Sequence, residues 1–211
     1  MRQIRKSSIV AKMLSNCAKS ERFRNWDDFP SEPKKRLREF MLKYEQAGLS
    51  AYTEQPLDER MNLHIDHFRR KGIPGYEHLT FCHNNLFTEL YTDEYGACHK
   101  DKKSHIDCEG YEGEERIFDP GIEDMSQYLT FDLEGRMYPR KEINSLIKKR
   151  VDNTIKVFNL NHPVLAKNRK DIFDYIEDYR QGGLADEDIR ACLNYLGFPS
   201  AREWAIDSFS N

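Results

Sequence analysis

The chain of 211 residues carries a formal net charge of -3, with 33 Lys and Arg against 36 Asp and Glu. Its length suits one ordinary domain, or a small catalytic unit with a helical extension, and is enough to bury a core without disulfides. The five cysteines, at positions 17, 82, 98, 108 and 192, are odd in number and include no CxxC pair, which argues against a disulfide framework and fits a reducing cytoplasm. The apolar part of the basic N-terminus MRQIRKSSIVAKML is too short and interrupted for a secretory signal, and no later run could span a bilayer, so a soluble protein is expected.

In chain order, the pattern predicts an α+β, mostly helical fold in three segments: N-terminal and helical over 1–50, a core over 51–140, and helical again over 141–211. Ser31 reads as a helix cap with Pro33 in the first turn, and Leu37, Phe40, Met41 and Tyr44 recur at helical spacing until Gly48 ends the run. From Ala51 to about Leu90 that period vanishes. NLHIDHF reads as a strand entering a loop of basic residues and the Gly72, Pro74, Gly75 turn, and HNNLF as a second short strand or extended piece. Thr92 and Asp93 then supply capping chemistry for a helix through His99 to about Lys103.

Residues 105–127 read as an irregular acidic excursion with IFDP as a short extended element, and LTFDLEGRMYP as a hairpin around Glu134 and Gly135. Beyond Pro139 a stripe of Ile143, Leu146, Ile147, Val151, Thr154, Ile155 and Phe158 marks one helix. Two more are expected around 164–181 and 185–196, the latter with Ile189, Cys192, Leu193 and Leu196 inward.

Chemistry concentrates in one series: Asp66 and His67 on the first strand, Asn85 eighteen residues on, and His99 fourteen residues further on the helix. Phosphodiester hydrolysis needs a base to activate water and a divalent cation to neutralise charge on the phosphate and leaving oxygen. His67 is the candidate base, with Asp66 and His99 as metal ligands. Neighbours on a strand point to opposite sides, so Asp66 and His67 can serve one site only through a twist or bulge. Asn85 suits orientation, pinning the loop between the strands and holding the His67 imidazole in one tautomer; the adjacent Asn84 is the alternative.

Net negative charge confines any grip on nucleic acid to local patches, because phosphate binding draws on a positive excess. Arg69, Arg70 and Lys71 after the base, and Lys100, Lys102 and Lys103 on the helix, are the candidate phosphate contacts. Lys148, Lys149 and Arg150 cluster too, although charge runs are mostly solvated faces.

HIDHFRRK, YEHLTFCHNNLF, ACHKDKK, IFDP, LTFDLEGRMYP and RVDNTIKVFNLN in that order resemble the HNH effector family of bacterial antiphage systems, the PtuB type that partners the ATPase PtuA in Septu and some retron systems. The resemblance covers about residues 30–170. It implies a ββα-metal (HNH) motif embedded between the N-terminal helix and the C-terminal helical segment. It also implies Mg²⁺- or Mn²⁺-dependent cleavage of DNA or RNA, tRNA included, in a bacterial cytoplasm. The implied partners are a PtuA-like ATPase and, in retron settings, a reverse transcriptase with its RNA–DNA hybrid.

Relatives carry a CxYCE element before the first strand as part of a structural zinc site, whereas this chain reads SAYTE, with Ser50 and Thr53 in place of the thiols; structural zinc is therefore not expected. A rival zinc group would gather His64, Cys82, Cys98 and His99. On an extended segment, His64 faces away from His67 and reads as structural. Tyr175, Tyr179, Tyr195 and Trp204 are either core or an exposed docking face. The alternative to a nuclease is an HNH-fold adaptor without catalysis; stoichiometric zinc would point instead to a zinc-stabilised adaptor.

Overall fold

The computed structural model describes residues 1–102 and 106–209. Among them the fold is α+β, with about 48% helix and two small antiparallel sheets. No described helix is long and apolar enough to cross a membrane.

The N-terminal part holds α1 (Ser8–Ala18) and α2 (Ser31–Phe40). Val10 and Leu14, one turn apart, pack with Trp26, Phe29, Leu37 and Met41 in a cluster of their own. Ser31 is the first helical residue rather than a side-chain cap, and Pro30 precedes it. Past Phe40 the helix widens into a π turn, Met41–Glu45, where the Gln46 N–H donates to the Met41 carbonyl at 2.9 Å. The extra residue rotates the expected stripe: Met41 and Leu42 are buried, Tyr44 is 66% exposed, and the Glu45 carboxylate points inward. Gly48, at φ 75°, ends the helix as its sequence position predicts.

β1 (Leu63–His67) pairs antiparallel with β2 (Leu86–Leu90), His67 opposite Leu86 and Leu63 opposite Leu90. The register is unbroken, so the bulge that the sequence invited beside Asp66 does not form. The second extended piece begins later than expected: His83–Asn85 is a 3₁₀ turn that feeds β2. α3 (Gly96–Lys100) follows, entered at Tyr95 rather than Thr92, and no side chain caps it. Thr92 and Asp93 instead lie in the link between β2 and α3.

Within the acidic excursion, Cys108–Glu112 forms α4, its first turn capped by Asp107 accepting from the Gly110 N–H at 3.0 Å. IFDP forms no strand, but Ile117 and Phe118 are buried, and the Phe118 N–H donates to Thr154 Oγ1 at 3.0 Å. The expected hairpin is β3 (Leu129–Phe131) with β4 (Met137–Pro139).

The C-terminal part comprises α5 (Ser145–Phe158), α6 (Pro163–Gln181), α7 (Asp186–Leu193) and α8 (Pro199–Ser208). Val151, Thr154 and Phe158 of the expected stripe are buried, whereas Leu146 in the first turn of α5 is 40% exposed. Ile189 and Leu193 face inward on α7, but Cys192 is exposed. α8 begins with Pro199 in its first turn and packs Trp204 against Phe131 and Phe173, both at 5.4 Å, so this tryptophan belongs to the core. Tyr175 and Tyr195 remain outside, 46% and 75% exposed.

Candidate active site

His67 ends β1 at the wall of a 610 Å³ cleft, which Trp26, Asp66, Arg70, Cys98 and Asp101 also line. Its Nε2 lies 3.0 Å from the Thr80 carbonyl oxygen. A carbonyl only accepts, so in the neutral ring Nε2 carries the proton and Nδ1 is the basic nitrogen. Trp26 meets the imidazole edge to face, 4.9 Å between centroids at 89°. Burial pushes the His67 pKa down to about 4, against the opposing pull of the Thr80 hydrogen bond and Asp66, so the ring is neutral near pH 7.

Asn85 is 2% exposed and clamps the loop that leaves β1. Its Oδ1 accepts from the Arg69 N–H at 2.7 Å, and its Nδ2 donates to the carbonyls of Arg69 at 3.1 Å and Leu79 at 3.4 Å. The side chain thus joins the two ends of the loop carrying Thr80, and it orients His67 through that loop rather than by touching the ring. The neighbouring Asn84 is exposed.

Asp66 is 3% exposed. Its Oδ2 accepts from the Tyr52 hydroxyl at 2.5 Å and lies 3.3 Å from Lys100 Nζ. Lys100 was an expected phosphate contact, but its side chain is fully buried. The reason is helical phase: Gly96, Ala97 and Lys100 share the inner face of α3. Burial works against the ammonium, yet Asp66 and Asp101 outweigh it and hold the lysine charged. Asp101 in turn is pushed up, to about 6, by burial and by the Asp66 charge.

His99 Nδ1 is 2.9 Å from the Val157 carbonyl on α5, and His99 is not among the residues lining the cleft, whereas Cys98 on α3 and Asp101 and Lys102 just beyond it are. Among the described residues no group of three or more His, Cys, Asp or Glu side chains is placed to hold a metal ion. With the inner oxygen of Asp66 shared by Tyr52 and Lys100, the pair of Asp66 and His99 does not fit a divalent ion in the arrangement seen. The rival zinc group is also dispersed: His64 and Cys98 line this cleft, while Cys82 borders another cavity beside α1. His64 also lines the cleft, its ring 5.5 Å from that of Tyr91.

Of the other expected phosphate contacts, Arg70, Lys71 and Lys102 line the cleft. Arg70 also donates to the carbonyls of Asp101 and Ile106, and Lys102 to that of Asp93. Arg69 is turned to a 2.8 Å ion pair with Asp119. Lys103 lies outside the described residues.

Where the resemblance expects thiolates, the Glu89 carboxyl group organises the turn. Ser50 Oγ donates to Glu89 Oε2 at 2.6 Å and accepts from the Thr53 N–H at 3.0 Å, and the Ala51 N–H donates to Glu89 Oε1 at 2.7 Å. Burial pushes the Glu89 pKa up to about 8. Tyr52, Thr80, Glu89 and the inward role of Lys100 were missed from sequence. Two signals were present: a glutamate inside the apolar strand LFTEL, and a lysine three residues after Ala97 on a short helix. No protein-family model matches the chain and no curated protein matches it, so the reading of this cleft rests on its own residues.

Proposed function

We propose that the chain is an HNH-type endonuclease, the effector subunit of a bacterial antiphage complex with an ATPase. The observation that carries this reading is His67: a buried, neutral imidazole, its Nε2 tied to a main-chain carbonyl, at a cleft bordered by Arg70, Lys71 and Lys102. In that role Nδ1 takes the proton from the water that attacks the phosphodiester, Asn85 keeps the base-bearing loop in place, and the basic side chains hold the phosphate backbone. The chain order strand, strand, helix over β1, β2 and α3 is consistent with this reading. Exposed Tyr175 and Tyr195 on the C-terminal helices suit an ATPase interface, where aromatic anchors concentrate binding energy.

A second reading, a non-catalytic adaptor on the same fold, is favoured by two observations: Asp66 is paired with Lys100, and His99 Nδ1 bonds a carbonyl of α5. The test is cleavage of labelled DNA and RNA by the purified complex with Mg²⁺ or Mn²⁺. His67→Ala is expected to lower the rate by about 10²–10⁴-fold, the usual contribution of a general base, with the circular dichroism spectrum and partner binding unchanged. Equal cleavage by the variant removes His67 from the reaction; no cleavage by either protein supports the adaptor.

A further inference from the structure

Lys100 is a cation sealed inside the centre. Its Nζ lies 3.1 Å from the His67 carbonyl, 3.2 Å from the Phe68 carbonyl, 2.5 Å from Asp101 Oδ1 and 3.3 Å from Asp66 Oδ2. Three ammonium protons meet three of these oxygens, and the fourth oxygen adds its charge. A buried charge is tolerated only with such compensation. Two carboxylates and two main-chain carbonyls are also the kind of oxygen shell that hard divalent ions take, at shorter range.

We propose that Lys100 is the resident cation of this centre: it holds the place of a metal ion between Asp66 and Asp101, and tethers the backbone of the base to α3. The proposal rests on the reading of Asp66 and His67 as one active centre. Two consequences follow. Asp66 is neutralised on its inner side and offers incoming cations only its cleft side. The carbonyls of His67 and Phe68 are fixed from a helix 32 to 33 residues away in sequence, which makes Lys100 a positioning residue.

The test uses the full chain without nucleic acid, titrated with Mn²⁺ and followed by calorimetry and by the electron paramagnetic resonance of the free ion. Lys100→Met leaves the two carboxylates and two carbonyls without their cation, so Mn²⁺ affinity is expected to rise at least about tenfold, as carboxylate charge and oxygen count set such affinities. Lys100→Arg, which keeps the charge, is expected to bind Mn²⁺ as the unaltered chain does. Adding Asp66→Asn to Lys100→Met is expected to abolish the gain. A folded Lys100→Met chain that binds Mn²⁺ no more tightly overturns the proposal, as does a gain that survives Asp66→Asn. If Lys100→Met unfolds, recovery of its circular dichroism spectrum on adding Mn²⁺ supports the proposal, and failure to recover overturns it. Because no substrate is present, loss of the nuclease reading leaves this result standing. Conversely, a chain that cleaves but gains no Mn²⁺ affinity loses this proposal alone.

Discussion

The two hairpins of this protein solve opposite problems. β3–β4 is closed by a short turn and buries Leu129, Phe131 and Met137, leaving Thr130 and Tyr138 on the more accessible side, so its burial alternates. β1–β2 is separated by a long loop and is covered on both faces, with Asp66, His67, Thr88 and Glu89 all inside. An apolar side chain needs only contact, whereas a buried polar one must find partners or bear the desolvation cost. The partners come from everywhere: Tyr52 and Lys100 for Asp66, Ser50 and Ala51 for Glu89, the Thr80 carbonyl for His67, and the Arg38 carbonyl for the Thr88 hydroxyl. The first hairpin is thus where the fold gathers distant chemistry, and the second is where it stores apolar contact.

Three experiments test that contrast. Phe131→Ala should be the most damaging to the fold, because the ring is buried against Phe173 and Trp204; a loss of about 3–5 kcal/mol in urea unfolding is expected. Cleavage by the fraction still folded should be unchanged, and a fall in its specific activity would tie the second hairpin to the site. Next is the pH dependence set by Glu89. Unfolded, this glutamate loses its proton near 4.5; folded, it keeps it to about 8. Its contribution is therefore full below 4.5 and lost as pH rises through 8, with a slope of at most about 1.4 kcal/mol per pH unit. Unfolding measured from pH 4.5 to 9 should show that decline, and Glu89→Gln should flatten it. Smallest in stability is Asn85→Ala, expected to cost about 1–3 kcal/mol for the groups it leaves unpaired. Cleavage should fall further than that loss explains, and faster amide exchange confined to the Arg69 end of the loop would locate the effect.

The apolar hairpin was legible in the sequence because its information is local: LTFDLEGRMYP states both strands and the turn. The strand bearing Asp66 and His67 and the helices α5 and α6 were legible for the same reason. The starts of α2 and α3 were not. Whether Ser31 or Thr92 caps a helix depends on the path by which the chain arrives, and both helices are entered from neighbouring residues instead. Lys100 was the hardest to see, since in ACHKDKK it reads as one more solvated charge. Three of its four oxygen partners lie 32 to 34 residues away, and only the phase set by Ala97 hinted at an inward direction. His99 shows the same limit: its chain position is that of a ligand, but its hydrogen bond reaches a carbonyl 58 residues on.

The π turn at Met41–Glu45 has a consequence for deletion. Such a turn is an α-helix widened to hold one residue more. Here the surplus residue turns Glu45 inward, within 3.2 Å of Lys6 and 3.0 Å of His83, and its Oε1 accepts from the Ser7 N–H at 2.9 Å. Deleting one residue from this turn would restore an ordinary helix and rotate Glu45 by about 100°. The buried Lys6 and His83 would then face each other without their shared carboxylate. A change that improves the local helix would thus undo a long-range junction, so the irregular turn is what keeps the N-terminal segment and the turn before β2 tied to one carboxylate.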